Sequence, residues 1–184
     1  MDAAMTSVVR KRGEGRRALI DAALCEFEEH GFDNTNSNAI ARRAGYAPQT
    51  FYRHFTDKLE IFLAVYEHWS EAGLEMASGA LDAESYARSL LDHHRSHRVF
   101  RRSLRYLTTA EPRMMSARTA ARLAQLEAMT RRLPRFAARD RAGQIAILLM
   151  IERICDALAD EEFAAAGIPA EAAFCELVTL LKSI

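Results

Sequence analysis

An all-α fold is predicted, with a three-helix head at the N-terminus and a larger helical domain behind it. Three observations point there. Apolar residues recur at three- and four-residue spacing along most of the 184-residue chain. No segment alternates apolar and polar residues as a half-buried strand would. The interruptions fall at helix breakers: Gly31, Gly45, Gly79, Pro112, Pro134 and the Gly167-Ile168-Pro169 turn.

The bulk properties are those of an ordinary globular protein, 49% hydrophobic and 27% charged, long enough to bury a core without staples. Cys25, Cys155 and Cys175 are odd in number and widely spaced, which fits neither a disulfide framework nor a zinc ligand set. A reducing cytoplasm is therefore the expected compartment. No apolar stretch follows the N-terminal basic residues as in a signal peptide, and Ile145–Ile151 is too short to span a bilayer.

A net charge of zero hides strong local bias. Residues 86–141 carry fourteen Lys or Arg against four Asp or Glu, and both flanking regions are acidic. The stretch Arg10–Arg17 carries five basic residues and one acid. Overall neutrality thus says little against nucleic-acid binding, which depends on local charge.

Residues 1–15 are expected to be a disordered basic arm, 16–58 a helix-turn-helix domain and 59–184 a helical effector-binding and dimerisation domain. Ile20, Ala23, Leu24 and Phe27 form an amphipathic stripe that Gly31 stops. Thr35 and Asn36 offer N-cap groups for a short helix, Ser37–Ala44, with Ile40 and Ala41 inward and Gly45 ending it. Pro48 suits the first turn of the next helix, to His54, with Phe51 and Phe55 as its core residues. Two short helices joined by so tight a turn, behind a supporting helix, make the helix-turn-helix arrangement. Further helices are expected near 58–78, 83–109, 114–133, 137–163 and 170–183.

The segment Ile20-x2-Ala23-x3-Phe27-x3-Gly31-Phe32, then Thr35-Asn36, Ile40-Ala41, Ala44-Gly45, Thr50-Phe51-Tyr52-x-His54-Phe55 and Lys58, resembles the head of the tetracycline-repressor (TetR) family. The likeness covers about a quarter of the chain; beyond it only the all-helical architecture is similar. It implies a homodimeric repressor that places the Pro48–His54 helix in the major groove of a double-stranded, palindromic operator. A small-molecule effector would release it, and no other cofactor is implied. On that resemblance Gln49, Thr50 and Arg53 face bases, while Tyr52, His54 and Lys58 contact phosphates. Thr35 or Asn36 would contact phosphate or cap the second helix, Arg42 or Arg43 could reach the backbone, and the Arg10–Arg17 arm could add contacts. The chain departs from the family pattern at Asn36-Ser37, Tyr46 and Ala47; Ala47 lacks a capping side chain worth ~1 kcal/mol.

In the larger domain, Tyr86, Leu90, His93, His97, Phe100, Leu104 and Leu107 alternate four- and three-residue spacings, so all fall on one face of a continuous helix. His93 and His97 are open to three readings: hydrogen-bonded core, polar handles of an apolar ligand cavity, or a two-histidine metal site lacking an identifiable third ligand. The cavity reading names Tyr86, Leu90, His93, His97, Phe100, Leu104, Met129 and Cys155. Arg95, Arg98, Arg101, Arg102 and Arg105 read as a solvated surface offset by Glu152, Asp156 and Asp160, or alternatively as binders of an anionic effector. Cys25 and Cys155 are expected in apolar surroundings, which suit an inert thiol. Met114, Met115, Met129 and Met150 read as core or pocket wall.

The helix near 137–163 is apolar almost all round, and the last helix adds Phe174, Leu177, Val178 and Leu181. The expected dimer interface is therefore Ile147, Met150, Ile151, Ile154, Phe174, Leu177, Val178 and Leu181; the alternative is that they form the chain's own core. No nucleophile–base pair or phosphate-cradling loop suggests an enzyme. Two rivals remain: an effector-independent architectural DNA-binding protein of the same fold, and a helical metal-binding protein or enzyme built on His93 and His97.

Overall fold

A computed structural model describes the backbone of residues 2–79 and 82–184 and the side chains of 13–76 and 82–184. The described residues are helical with no strand, and they divide into two compact units between His68 and Trp69. The division lies inside a helix, ten residues past the boundary expected at Lys58.

The N-terminal unit holds α1 (Asp2–Asn34), α2 (Ser37–Arg43), α3 (Pro48–Tyr52) and the first half of α4 (Lys58–Gly79). Residues 2–15, expected as an arm, are helical and continuous with the rest of α1. Ala, Met, Lys, Arg and Glu are good helix formers, so a helix nucleated by the amphipathic part propagates backwards through them. Contacts of Arg10, Lys11 and Arg12 lie outside the described residues. The stop expected at Gly31 is visible as φ 75°, ψ 170° inside α1, a backbone only glycine adopts readily. Phe27, Phe32 and Phe62 then close the core edge to face, with Phe27–Phe62 centroids 4.9 Å apart and Phe32–Phe62 5.3 Å apart.

The α2–α3 turn follows from two residues. Gly45 has φ 77°, and the Tyr46 N–H reaches the Ala41 carbonyl (2.9 Å) while the Gly45 N–H reaches that of Arg42 (3.0 Å). This is a Schellman ending, which satisfies carbonyls that α2 would otherwise leave open. Ala47 then enters α3 with an extended backbone and no side-chain cap, ahead of Pro48.

The C-terminal unit begins at Trp69 on α4 and continues through α5 (Ala83–Ser96), α6 (Arg98–Ala110), α7 (Pro112–Arg132) and α8 (Pro134–Ala137). It ends with α9 (Arg141–Ala159), α10 (Glu162–Ala165) and α11 (Ala170–Lys182). The helix expected over 83–109 is broken: His97 (φ −129°, ψ 36°) ends α5 and starts α6. The helix expected over 137–163 starts late, because Asp140 caps it by accepting from the Gly143 N–H (2.7 Å), and it ends at Ala159, just before Glu161 in the left-handed region.

The helices α5, α9 and α11 pack on one another around the main core. Ile147, Ile151, Phe174, Leu177, Val178 and Leu181 are buried there, so these six form the chain's own core and correct the interface expected of them. Periodicity says that a face must be covered; it does not say whether a neighbouring helix or a second copy covers it. Of the expected set, Met150 is exposed and Ile154 half-buried. The outward face of α9 carries Ala146, Leu149, Met150 and Arg153, and that of α11 carries Ala172, Cys175, Glu176 and Thr179.

Candidate nucleic-acid interface

The head presents α3 as a shallow ridge. Phe51 is fully buried and anchors it, while Pro48, Gln49, Tyr52 and Arg53 are exposed and Thr50 half-exposed. Five helical residues with one inward side chain leave the rest available to a groove. Tyr52 is 60% exposed, yet its hydroxyl is within 2.8 Å of the Ser37 hydroxyl, which ties the end of α3 to the start of α2. Ser37 thus belongs to this surface, although the sequence marked it only as a departure from the family pattern. Asn36 is exposed and caps α2, its Oδ1 accepting from the Ala39 N–H at 3.0 Å.

Several of the residues expected to contact DNA are engaged within the head itself. Thr35 is 2% exposed, and its hydroxyl donates to the carbonyls of Gly31 (2.8 Å) and Glu26 (3.1 Å), so it braces the turn after α1. Lys58 likewise turns inward: Nζ donates to the carbonyls of Phe32 (2.6 Å), Thr35 (3.0 Å) and, more weakly, Asp33 (3.4 Å). The ammonium also lies 4.2 Å from the Phe32 ring centroid, and burial lowers its pKa. The Phe32 carbonyl also accepts from the Thr35 N–H (3.3 Å), and the cation takes up the accepting capacity that remains where α1 gives way to its turn. Arg43 is held by Glu26 (2.6 Å) and Glu29, while Arg42 on the same helix is exposed. His54 is half-buried beside α1, where a Cβ on Gly15 would come within 3.3 Å of its Nε2. At the near end of the basic stretch, Arg17 pairs with Asp21 (3.1 Å) and Arg16 lies over the Phe55 ring (5.3 Å).

In the C-terminal unit the expected seam does not form one wall. The break at His97 rotates its two halves apart. Tyr86, Leu90, Met129 and Cys155 join the core between α5, α9 and α11, while His93, His97 and Phe100 gather near Trp69. His93 stacks on the Trp69 ring at 4.4 Å, and its Nε2–H donates to the Trp69 carbonyl (3.2 Å). The His97 Nδ1–H donates to the His93 carbonyl (2.9 Å). Of the three readings, this is hydrogen-bonded packing. No group of three His, Cys, Asp or Glu suited to a metal occurs among the described residues.

The arginine helices hold what the sequence did not reveal. Asp156 is buried and accepts through Oδ1 from His94 Nδ1 (3.1 Å) and from Arg101 Nη2 (2.8 Å) and Nε (3.0 Å); its Oδ2 pairs with Arg105 (3.0 Å). Asp160 pairs with Arg105 (2.6 Å) and Arg102 (2.9 Å), and Glu152 with Arg118 (2.9 Å) and Arg122 (2.6 Å). The acids named as offsets are the partners, but Arg101 is buried where a solvated face was expected, and Arg118 on α7 is buried as well. His94 is the buried histidine of this network. Cys155 is buried, and desolvation pushes its thiol up to about 12, whereas Cys25 is exposed rather than set in apolar surroundings.

These environments have a pH consequence. Burial pushes the His93 pKa down to about 4 and also lowers that of His94. An unfolded histidine titrates near about 6.5, so between there and 4 the unfolded chain binds the extra proton and stability falls as pH falls. Arg101 and His94 hold the Asp156 carboxyl far below the usual range despite its burial, which adds loss of the same sign at still lower pH. We expect the C-terminal unit to lose roughly 3 kcal/mol through His93 on acidification from pH 7.5 to 4.5. Thermal melts across that range should flatten in His93→Gln; an equally steep fall in that variant would remove His93 as the cause.

The comparisons with known proteins agree with this geometry. Residues 19–65 match the family described as bacterial regulatory proteins, tetR family. Over 60 residues the chain is 47% identical to an uncharacterized HTH-type transcriptional regulator of Haemophilus influenzae. That stretch is 32% of this chain and 28% of the relative, which confines the likeness to part of each. Solved structures match nearly end to end. A TetR-family transcriptional regulator from Marinobacter aquaeolei superposes with TM-score 0.66 at 20% identity, covering 90% of this chain and 88% of its own. GusR of Salmonella enterica gives 0.67 at 17%, covering 91% and 93%. A transcriptional regulator from Saccharomonospora viridis in complex with choline gives 0.67 at 16%, covering 92% and 96%. At such identities the structural likeness speaks for the fold, and the sequence likeness for the head. Taken together, residues 19–65 carry a head like that of the tetR family of bacterial regulatory proteins, and the chain shares the helical fold of these solved regulators.

Proposed function

We propose that the chain is a DNA-binding transcriptional regulator of the cytoplasm, a homodimeric repressor released from a palindromic operator by a small-molecule effector. The observation that carries the DNA-binding part is the α3 ridge: Gln49, Tyr52 and Arg53 outward on a short helix pinned by buried Phe51. Gln49, Thr50 and Arg53 are the base-reading candidates, since Gln and Arg make paired hydrogen bonds to base edges. Asn36, Arg42, Pro48, Tyr52 and His54 flank them as positioning contacts on the phosphates. Two such heads meet successive major grooves at a separation of ~34–36 Å, which requires a dimer. The outward apolar residues Ala146, Leu149 and Met150 of α9, with Ala172 and Cys175 of α11, are the face we assign to it. An effector would act by favouring one head separation over another, and only as far as its affinities for the two states differ.

Selection from a random duplex pool, followed by titration of the enriched sequence, tests this reading. We expect a palindromic site bound by two chains, and an Arg53→Ala loss of roughly 10–100-fold on that site, with unchanged melting of the protein. Failure to enrich any sequence, or undiminished binding by a Gln49→Ala, Arg53→Ala double variant, would defeat it. A second reading, an effector-independent DNA-binding protein of the same fold, draws on Tyr86, Leu90, Met129 and Cys155, which pack into the core instead of lining a cavity.

A further inference from the structure

A pair of hydroxyls joins the start of α2 to the end of α3. The Tyr52 hydroxyl lies 2.8 Å from that of Ser37, and neither has a second partner among the described residues. Both residues are held from behind. Ser37 is the first residue of α2, directly after the Asn36 cap, and Tyr52 is the last of α3, its ring edge-on to buried Phe51 with centroids 5.3 Å apart. Tyr52 itself stays largely exposed. An exposed bond of this kind adds little to folding, because water replaces either partner at nearly equal free energy. Its effect is to hold the phenol in one orientation, and a donor held before binding loses less freedom on binding.

Each hydroxyl carries one hydrogen and two accepting lone pairs. One hydrogen joins the pair whichever residue donates, so a single O–H is left to point outward. A group that only accepts fits it, and a chain running from one hydroxyl through the other to an anion strengthens both bonds. In a helix-turn-helix the N-terminal residues of the second helix reach base edges, while the first helix crosses the backbone. A donor shared by the start of α2 and the end of α3 lies away from the Pro48–Thr50 end, so a backbone phosphate is the anion it suits. Two cations of the same head, Arg43 and Lys58, are already engaged by Glu26, Glu29 and backbone carbonyls, which leaves more of the phosphate contact to neutral donors.

We propose that Ser37 is a positioning residue for operator binding: it orients the Tyr52 phenol, and the two hydroxyls act as one donor to a single nonbridging phosphate oxygen. This rests on the DNA-binding reading above and adds a residue to it. Ser37 stands where the sequence departs from the family pattern, so the paired hydroxyls are a feature of this chain's own sequence.

The test uses the full chain and the selected operator. Ser37→Ala and Tyr52→Phe are each expected to bind it roughly tenfold more weakly, with little change in melting temperature. The double variant should lose no more than the weaker-binding single variant, since the pair supplies one donor. Ser37→Thr, which keeps the hydroxyl, should recover most of what Ser37→Ala loses. Operators carrying a neutral methylphosphonate at one backbone position and its twofold mate, scanned along the half-site, separate positioning from simple bracing of the head. One position should cost the unaltered chain roughly tenfold and cost either variant little further. Undiminished binding by Ser37→Ala, additive losses in the double variant, or the same loss at every methylphosphonate position overturns the assignment. If binding survives Ser37→Ala but is lost in the Gln49→Ala, Arg53→Ala variant, the DNA-binding reading stands and the paired-hydroxyl contact falls. Failure to select any operator removes both.

Discussion

Asp156→Ala is expected to destabilise the C-terminal unit by about 3–5 kcal/mol, the cost of leaving a buried charge without its counter-ion. The residue gathers His94, Arg101 and Arg105, donors from α5 and α6, onto one carboxylate of α9. Removing it strands Arg101, which is 3% exposed and has no route to solvent short of local unfolding. Denaturant titration followed by Trp69 fluorescence reads the unit directly, because the probe sits against Arg101. Replacing both partners, Asp156→Leu with Arg101→Met, should recover much of the loss, since a matched apolar pair has no charge to desolvate. By contrast Glu84→Ala breaks an exposed i,i+4 pair with Arg88 and should leave stability nearly unchanged. A loss below about 1 kcal/mol for Asp156→Ala would mean that water reaches the cluster and that its burial is not energetically real.

Lys58→Met should weaken operator binding without changing how that binding depends on salt. A lysine that contacts phosphate releases counter-ions on binding, and its removal lowers the slope of log K against log[salt] by roughly 0.9. Lys58 instead spends its ammonium on the carbonyls of Phe32, Asp33 and Thr35. Methionine keeps most of the stem packing but donates nothing, so the turn between α1 and α2 loses its brace and α4 its tie to that turn. We expect the N-terminal unit to lose about 2 kcal/mol and operator affinity to fall in parallel at every salt concentration. A slope reduced by nearly one, with unaltered stability, would return Lys58 to the phosphate contacts.

The head was legible in the sequence because its signals are local. Gly31 and Gly45 mark chain reversals, Asn36 is an N-cap acceptor of the right type, Pro48 suits a first turn, and Phe27, Ile40, Phe51 and Phe55 keep helical register. Each acts on neighbours within a turn or two, so residue type and spacing are enough. The same reasoning did not foresee the inward bonds of Lys58 and Thr35, whose types suit both a phosphate and a buried carbonyl. Burial chooses between those fates, and burial is not a local property.

In the C-terminal unit, periodicity alone established that the chain is helical and which helices need cover on more than one side. It did not decide what covers them: Ile147, Ile151, Phe174 and Leu177 pack on α5 and on one another before any partner is needed. The break at His97 was likewise hidden, because an unbroken seven-residue seam is compatible with a kink that splits it. Above all, the arginine bias read as a surface became a buried network once α6, α7 and α9 met. His94 and Asp156 lie 62 positions apart and Arg101 and Asp156 lie 55 apart. The sequence by itself therefore determined the helical class, the head and its exposed ridge, all set by interactions along the chain. Only the tertiary structure decided which charges are buried together and which apolar faces remain open, because those depend on segments brought together from far along it.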